Sequence, residues 1–299
     1  MEKNITNYKT QPFVVFSSAY PEIVRSDQTC YAFKRPDLPL RTLFPGQEED
    51  RRKAAKEKKE KKKMKWMILQ NDLKIDLGKT TFFTDNELVD RGASPEDSFA
   101  FQVEEVETLF QSGEQQHNSI DRRTGTTGEG PFAPFPTDVI YFRPGTRLAI
   151  FVLVDTQVTD IQRIYKALAQ IGQWGYGKDA GTGLGQFKVI ENKKIEWPKL
   201  DSANACYTLG PSVPTPQTCK EVFFTPFIRF GKHGDYLARH SNPFKNPLIM
   251  ADEGAVCVPT DGAVFEQPYL GRALTNISKA EQTAVAQGYS IYLPFRMEN

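Results

Sequence analysis

Residues 175–185 read Gly-Tyr-Gly-Lys-Asp-Ala-Gly-Thr-Gly-Leu-Gly, five glycines in eleven positions between a helix-like stretch and a strand-like one. Each glycine raises the entropy lost on folding, so a packed core gains nothing from this density. Main chain without Cβ atoms can lie directly against a ligand, and its N–H groups, with Lys178 among them, suit a phosphate-rich partner. The plain alternative is a tight turn between helix and strand. Two nucleotide motifs overlap the run and both fail. Gly172–Lys178 fits the opening of a P-loop, but Asp179 stands where a Ser or Thr would hold magnesium. Gly175-x-Gly177-x-x-Ala180 imitates a dinucleotide fingerprint. Each motif needs a preceding strand and a following helix, and here that order is reversed. No cofactor and no metal site is expected.

The surroundings place the run. Arg147–Asp155 is an apolar strand, and Thr159 can cap a helix to about Gly172, with Ile161, Ile164, Tyr165, Leu168 and Ile171 on one face. Leu184–Ile190 reads as a strand. This β-α-loop-β order is half of a ferredoxin-like unit, the topology of RNA-recognition folds. Further strands fit at Met64–Leu69, Thr137–Phe142, Cys206–Leu209, Glu221–Phe230, Ala255–Val258 and Tyr289–Phe295, and Asp97–Phe110 alternates Phe99, Phe101, Val103 and Val106. Residues 11–33 predict short strands around a turn at Pro21. The expected class is α+β. The N-terminal domain is 1–145, with a basic segment at 45–65 and a long loop at 111–136. The C-terminal domain is 146–299, with the glycine-rich loop at 172–187.

The net charge of +1 hides local patches: Arg51–Lys65 holds ten Lys or Arg against two Glu. It reads as a solvated helix or linker, or as a contact for nucleic acid or an acidic partner. No apolar run approaches a bilayer span, and Met1-Glu2-Lys3-Asn4 lacks a secretory signal, so a soluble, cytoplasmic protein with no membrane partner is expected. Cys30, Cys206, Cys219 and Cys257 show no CxxC spacing and are expected to be reduced, buried thiols.

His117-Asn118-Ser119-Ile120-Asp121-Arg122-Arg123-Thr124-Gly125 resembles the Asn-x-Ile-Asp-Arg-x-Thr-Gly segment of RAMP proteins from CRISPR effector complexes. The likeness is strongest to subunit four of the Csm (type III-A) complex. Gly175–Phe187 is similar to that family's glycine-rich loop. Pro12–Pro21, Pro243–Ile249 and Gly288–Pro294 are weaker matches in the same order along the chain. The resemblance implies two ferredoxin-like (RRM-like) domains and a non-catalytic subunit that holds the 5′ handle of CRISPR RNA. It also implies two protein partners, the large polymerase-like subunit and the first backbone RAMP subunit. Members of the family open with a further strand and helix ahead of the Pro-Phe segment, which here begins at Pro12. The N-terminal domain is therefore expected to lack its first strand and helix, which lie upstream or come from a separate chain.

Single-stranded RNA of fixed sequence is recognised by splaying bases while phosphates are gripped from behind. The gripping set is Gly175, Gly177, Lys178, Thr182, Gly183 and Gly185, which offer amides, an ammonium and a hydroxyl. His117, Asn118, Arg122, Arg123 and Thr124 add planar, hydrogen-bonding and cationic groups. Asp121 repels phosphate and is expected to accept from Arg122, Arg123 or backbone amides. Ile120 or Phe132 can wedge between nucleotides. Trp174, Tyr176 and Phe187 read as stacking platforms or as core. Arg229, Lys232, His233, Arg239, His240 and Lys245 either extend the RNA path or form a solvated loop. The rival classes are a metal-independent RNA-processing endoribonuclease, which needs a His such as His117, a backbone subunit cutting RNA through Asp121 and a metal, and a scaffold that touches RNA incidentally.

Overall fold

The structure, a computed structural model, describes residues 8–25, 28–45, 51–92, 108–177 and 179–298. Lys178 and most of the expected strand at Asp97–Phe110 lie outside the described residues.

In chain order the strands are β1 (Val14–Arg25), β2 (Gln28–Lys34), β3 (Trp66–Gln70), β4 (Phe82–Phe83), β5 (Phe110–His117), β6 (Phe135–Phe142), β7 (Arg147–Val154), β8 (Ala205–Thr208), β9 (Cys219–Phe223), β10 (Pro226–Arg229), β11 (Leu248–Ala251), β12 (Val256–Pro259), β13 (Tyr269–Gly271) and β14 (Tyr289–Phe295). The helices are α1 (Leu40–Leu43), α2 (Arg51–Lys63), α3 (Asp85–Gly92) and α4 (Ile161–Trp174). Two five-stranded antiparallel sheets, ordered β4-β3-β2-β1-β7 and β13-β14-β8-β12-β9, accompany two ribbons, β5-β6 and β10-β11. The class is mixed α and β with antiparallel sheets, as expected for α+β.

The two large sheets share one core. Val15, Tyr20, Tyr31 and Phe33 from the first meet Tyr207, Val256, Leu293 and Phe295 from the second. Polar contacts fix their register. Ser18 N donates to Leu209 O at 2.8 Å, and the Tyr20 and Tyr207 hydroxyls donate to Leu209 O at 3.0 Å and Lys34 O at 2.6 Å. Because buried phenol oxygens without partners would be costly, these bonds specify how the sheets meet. Lys34 and Asp252 add an ion pair at 2.6 Å.

Local chemistry explains the helices. Thr84 and Glu87 form a reciprocal capping box at the start of α3: Glu87 Oε2 accepts from Thr84 N at 2.8 Å, and Thr84 Oγ1 accepts from Glu87 N at 3.4 Å. The basic run folds as α2, with Glu57–Lys61 and Glu60–Lys63 pairs along it. Arg35 Nη1 donates to the carbonyls of Lys61 and Met64 at 2.7 and 2.8 Å. That guanidinium occupies the place of a C-cap and ties the helix end to the end of β2.

Six expectations change. The long loop expected at 111–136 is strand at both ends, as β5 and the start of β6, because the two halves pair with each other. Pro21 lies inside β1, opposite Leu148 of β7, and the irregularity falls instead between Phe16 and Ala19. Asp160, not Thr159, caps α4, accepting from Arg163 N at 2.9 Å. The segment Leu184–Ile190 is not a strand. Glu221–Phe230 divides into β9 and β10, which join different sheets. Cys219 and Cys257 are not free thiols: they form a disulfide across β9 and β12, with Cα atoms 5.9 Å apart. Cys30 and Cys206 are free.

Candidate nucleic-acid interface

The glycine-rich loop divides its glycines between two jobs. Its base is welded backbone to backbone: Gly175 N donates to Ile171 O at 2.8 Å, Tyr176 N to Gly185 O at 2.8 Å, and Phe187 N to Gly172 O at 3.1 Å. A Cβ on Gly172, Gly175 or Gly185 would overlap the carbonyl oxygen of Phe187, Leu184 or Tyr176 respectively. Gly175 and Gly185 also hold φ of +101° and +70°, conformations that side chains resist. The tip differs. A 3₁₀ turn over Ala180–Thr182 is closed by Thr182 N on Asp179 O at 3.0 Å and Gly183 N on Ala180 O at 3.0 Å. Nothing stands within 4 Å of the Cβ position of Gly177, Gly181 or Gly183. Among the described residues the Gly177 amide has no backbone acceptor.

Close packing thus explains Gly175 and Gly185, while Gly177, Gly181 and Gly183 leave bare main chain facing open space. Sequence reasoning missed Gly181, whose open position marks it out. The Thr182 hydroxyl donates to Asp179 O at 2.8 Å and still has lone pairs free. Trp174 is 76% and Tyr176 71% exposed, so neither belongs to the core; Phe187 is 39% exposed over Gly172.

The second segment caps the β5-β6 ribbon, whose register runs without interruption from Phe110↔Phe142 to His117↔Phe135. Strand alternation puts Tyr141, Val139, Thr137 and Phe135 on one face with His117. The His117 imidazole stacks on Phe135 with centroids 5.5 Å apart and planes 16° apart. Phe135, which pairs with His117 by register alone, carried no sequence signal of its own. The β6 strand of the ribbon is largely apolar yet exposed, with Ile140 63% and Tyr141 58% accessible, a surface that soluble monomers seldom leave uncovered.

At the ribbon's tip Asp121 organises a tight turn. Its carbonyl accepts from Gly125 N at 2.7 Å and Thr124 N at 3.2 Å, and its amide donates to Thr126 O at 3.1 Å. Its carboxylate accepts from the Arg123 amide at 2.9 Å and from the Arg123 guanidinium at 3.3 and 3.4 Å. These bonds, the amide first and the guanidinium second, hold the Asp121 carboxyl below the usual carboxylate range. The expectation for Asp121 holds through Arg123 and not Arg122. The Thr124 and Thr126 hydroxyls bond at 3.0 Å. Ile120, Arg122 and Asn118 stand exposed beside this frame, while Phe132 is half-buried.

Beside α4 lies a cleft of about 1670 Å³, walled by Leu148 and Ile150 of β7, Ile164 and Leu168 of α4, and Phe187 and Ile190. Among the described residues β7 pairs with β1 alone and ends the first sheet. Among the described residues no group of three His, Cys, Asp or Glu side chains could hold a metal, and no helix is long and apolar enough to cross a membrane.

No family model and no curated protein matches the chain. It resembles a chain of the crystal structure of a Csm1-Csm4 cassette in complex with cA4, with a TM-score of 0.47 and 16% identity, covering 100% of this chain and 83% of that one.

Proposed function

We propose that this chain is the non-catalytic subunit of a type III CRISPR ribonucleoprotein complex that holds the 5′ handle of CRISPR RNA. What carries the reading is the turn at Asp121. Within the segment that resembles the RAMP motif, it clamps Arg123 and leaves Ile120 and Arg122 facing solvent at the end of an exposed aromatic ribbon. Arg122 supplies a phosphate or base contact, Ile120 an apolar wedge, and the His117–Phe135 pair a surface for a splayed base. The bare main chain of Gly177, Gly181 and Gly183 grips sugar–phosphate at close range.

Two ferredoxin-like halves accommodate the two large sheets. In this reading the cleft beside β7 receives a strand from a separate chain. A strand entering there would satisfy the edge of β7 on one side and the apolar stretch Leu184–Ile190 on the other. The partners in this reading are CRISPR RNA, the large polymerase-like subunit, the backbone RAMP subunit and whatever supplies that strand.

Co-purification tests the proposal. Tagged protein expressed with its CRISPR array should bring down CRISPR RNA with an intact 5′ handle and both protein subunits. Recovery without RNA would overturn it. So would cleavage of repeat RNA abolished by His117→Ala, which would make the chain a nuclease.

A further inference from the structure

The β10-β11 ribbon lies outside both surfaces described above and has an unusual face. Its register sets Ile228 opposite Ile249 and Phe227 opposite Met250. Met250 is buried and anchors the ribbon, whereas Ile228 and Ile249 on the other face are 64% and 70% exposed. Beyond the regular pairing, His233 N donates to Pro243 O and Lys245 N to Gly231 O, both at 2.8 Å, so the two arms stay aligned. That alignment brings Phe230 against Phe244 with centroids 5.5 Å apart and planes 2° apart, both rings more than half exposed. The Lys232 ammonium lies 5.6 Å from the Phe244 centroid.

Charge distinguishes this face from an ordinary sticky patch. Residues 226–250 carry Arg229, Lys232, Arg239 and Lys245 against the single carboxylate of Asp235. Among the described residues none of these four cations enters an ion pair. Protein interfaces are depleted in lysine, whereas parallel exposed rings flanked by unpaired cations are what a single strand of nucleic acid requires: a π-face for each base and a cation for each phosphate.

We infer that the β10-β11 ribbon is a second RNA contact, a stacking platform on which Phe230 and Phe244 take the bases of a single strand while Arg229, Lys232 and Arg239 take its phosphates. Stacking on phenylalanine needs no particular base, so the platform is indifferent to sequence. It would carry RNA outside the handle, and it stands without the handle reading.

The test uses the full chain and a fluorescein-labelled uridine 12-mer, which has no handle sequence. Phe230→Ala with Phe244→Ala should weaken this probe at least tenfold. Lys232→Gln with Arg239→Gln should lower the salt slope of binding by about 1.4, about 0.7 for each lost phosphate contact. A 4-thiouridine version should crosslink within 229–245 of the unsubstituted protein, a result that does not depend on how the variants fold. Absence of a crosslink there together with unchanged affinity overturns the inference. So do variants that keep RNA affinity but shed a protein subunit from the purified complex, which would make the ribbon a protein-docking face. In Arg122→Ala the 4-thiouridine crosslink should still fall within 229–245 while handle binding drops, so the position of the crosslink and the handle affinity test the two proposals separately.

Discussion

Asp121 and Arg123 form a closed pair in which one carboxylate takes both the amide of Arg123, at 2.9 Å, and its guanidinium, at 3.3 Å. Arg123 is the more constrained of the two neighbouring arginines although its side chain is 86% exposed. An exposed ion pair contributes little stability by itself. Here the amide bond added to it shapes the turn and leaves Arg122 as the unneutralised cation.

The two arginines should therefore behave differently. Arg122→Ala removes a phosphate contact and should weaken handle RNA about tenfold at low salt, lowering the salt slope by about 0.7. Asp121→Asn keeps an acceptor for the Arg123 amide but releases its guanidinium. It should hold or tighten affinity and steepen the slope. Anisotropy titrations across a salt series read both effects, and a weaker, shallower Asp121→Asn variant would contradict the assigned roles.

The glycines of the loop should separate in the same way. Gly175→Ala and Gly185→Ala place a Cβ on a carbonyl oxygen at positive φ, and each should cost about 1–3 kcal/mol of stability. Gly181→Ala meets open space at an ordinary φ and should shift stability by less than about 0.5 kcal/mol. If RNA lies against the tip, the same methyl group should nevertheless weaken RNA binding. Urea unfolding alongside RNA titration distinguishes the two. A Gly181→Ala protein with unaltered RNA affinity would remove the tip from the interface.

Near the junction of the sheets, Ser18 Oγ donates to Glu253 Oε2 at 3.2 Å, and Asp252 next to it pairs with Lys34. Burial, with the adjacent Asp252 carboxylate second, pushes the Glu253 carboxyl above its ordinary value of 4.5. Burial alone would also raise Asp252, but hydrogen bonds from Glu253 and Lys34 hold it below 3.8. The signs are opposite. A raised carboxyl contributes stability that is present below pH 4.5 and lost as pH climbs through its folded value. A depressed one contributes stability present above pH 3.8 and lost as pH falls through its folded value. Glu253→Gln should abolish the loss above pH 4.5 and leave the acid limb intact. Thermal melts from pH 3 to pH 8 check this, and a Gln variant retaining the decline would assign it to another group.

How much of this was legible in the residues follows from which interactions are local. β14 falls where its apolar run ends, because it is a buried strand bounded by turn residues, and β7, an apolar run that is only half-buried, falls nearly so. The turn at Asp121 was readable in outline because a carboxylate two residues before an arginine bonds within its own loop. Leu184–Ile190 has the pattern of a strand but needs a neighbour to hydrogen-bond. The edge of β7 lies across a cleft of about 1670 Å³ from it. Alternation specifies which residues face inward but cannot supply the adjacent strand. Sheet register also hid the stacked pairs His117–Phe135 and Phe230–Phe244, each made from residues 14 or more positions apart.

Register decides the cysteines as well, and gives the last expectation. Cys219 and Cys257 are 38 residues apart, and pairing of β9 with β12 brings their Cα atoms to 5.9 Å. Closing a loop of that size should stabilise the fold by about 4 kcal/mol on the chain-entropy estimate. Cys206 stays out of the bond although it sits directly opposite Cys257 in the sheet. Burial pushes its thiol far above the ordinary value, which deprives it of the thiolate needed for exchange. Mild reduction should lower the melting temperature, and Cys219→Ser with Cys257→Ser should reproduce that lowering and abolish any further response to reductant. Cys206→Ser should still respond. If reductant moved the unsubstituted protein not at all, or moved the double variant equally, the stabilisation would lie elsewhere than in this bond.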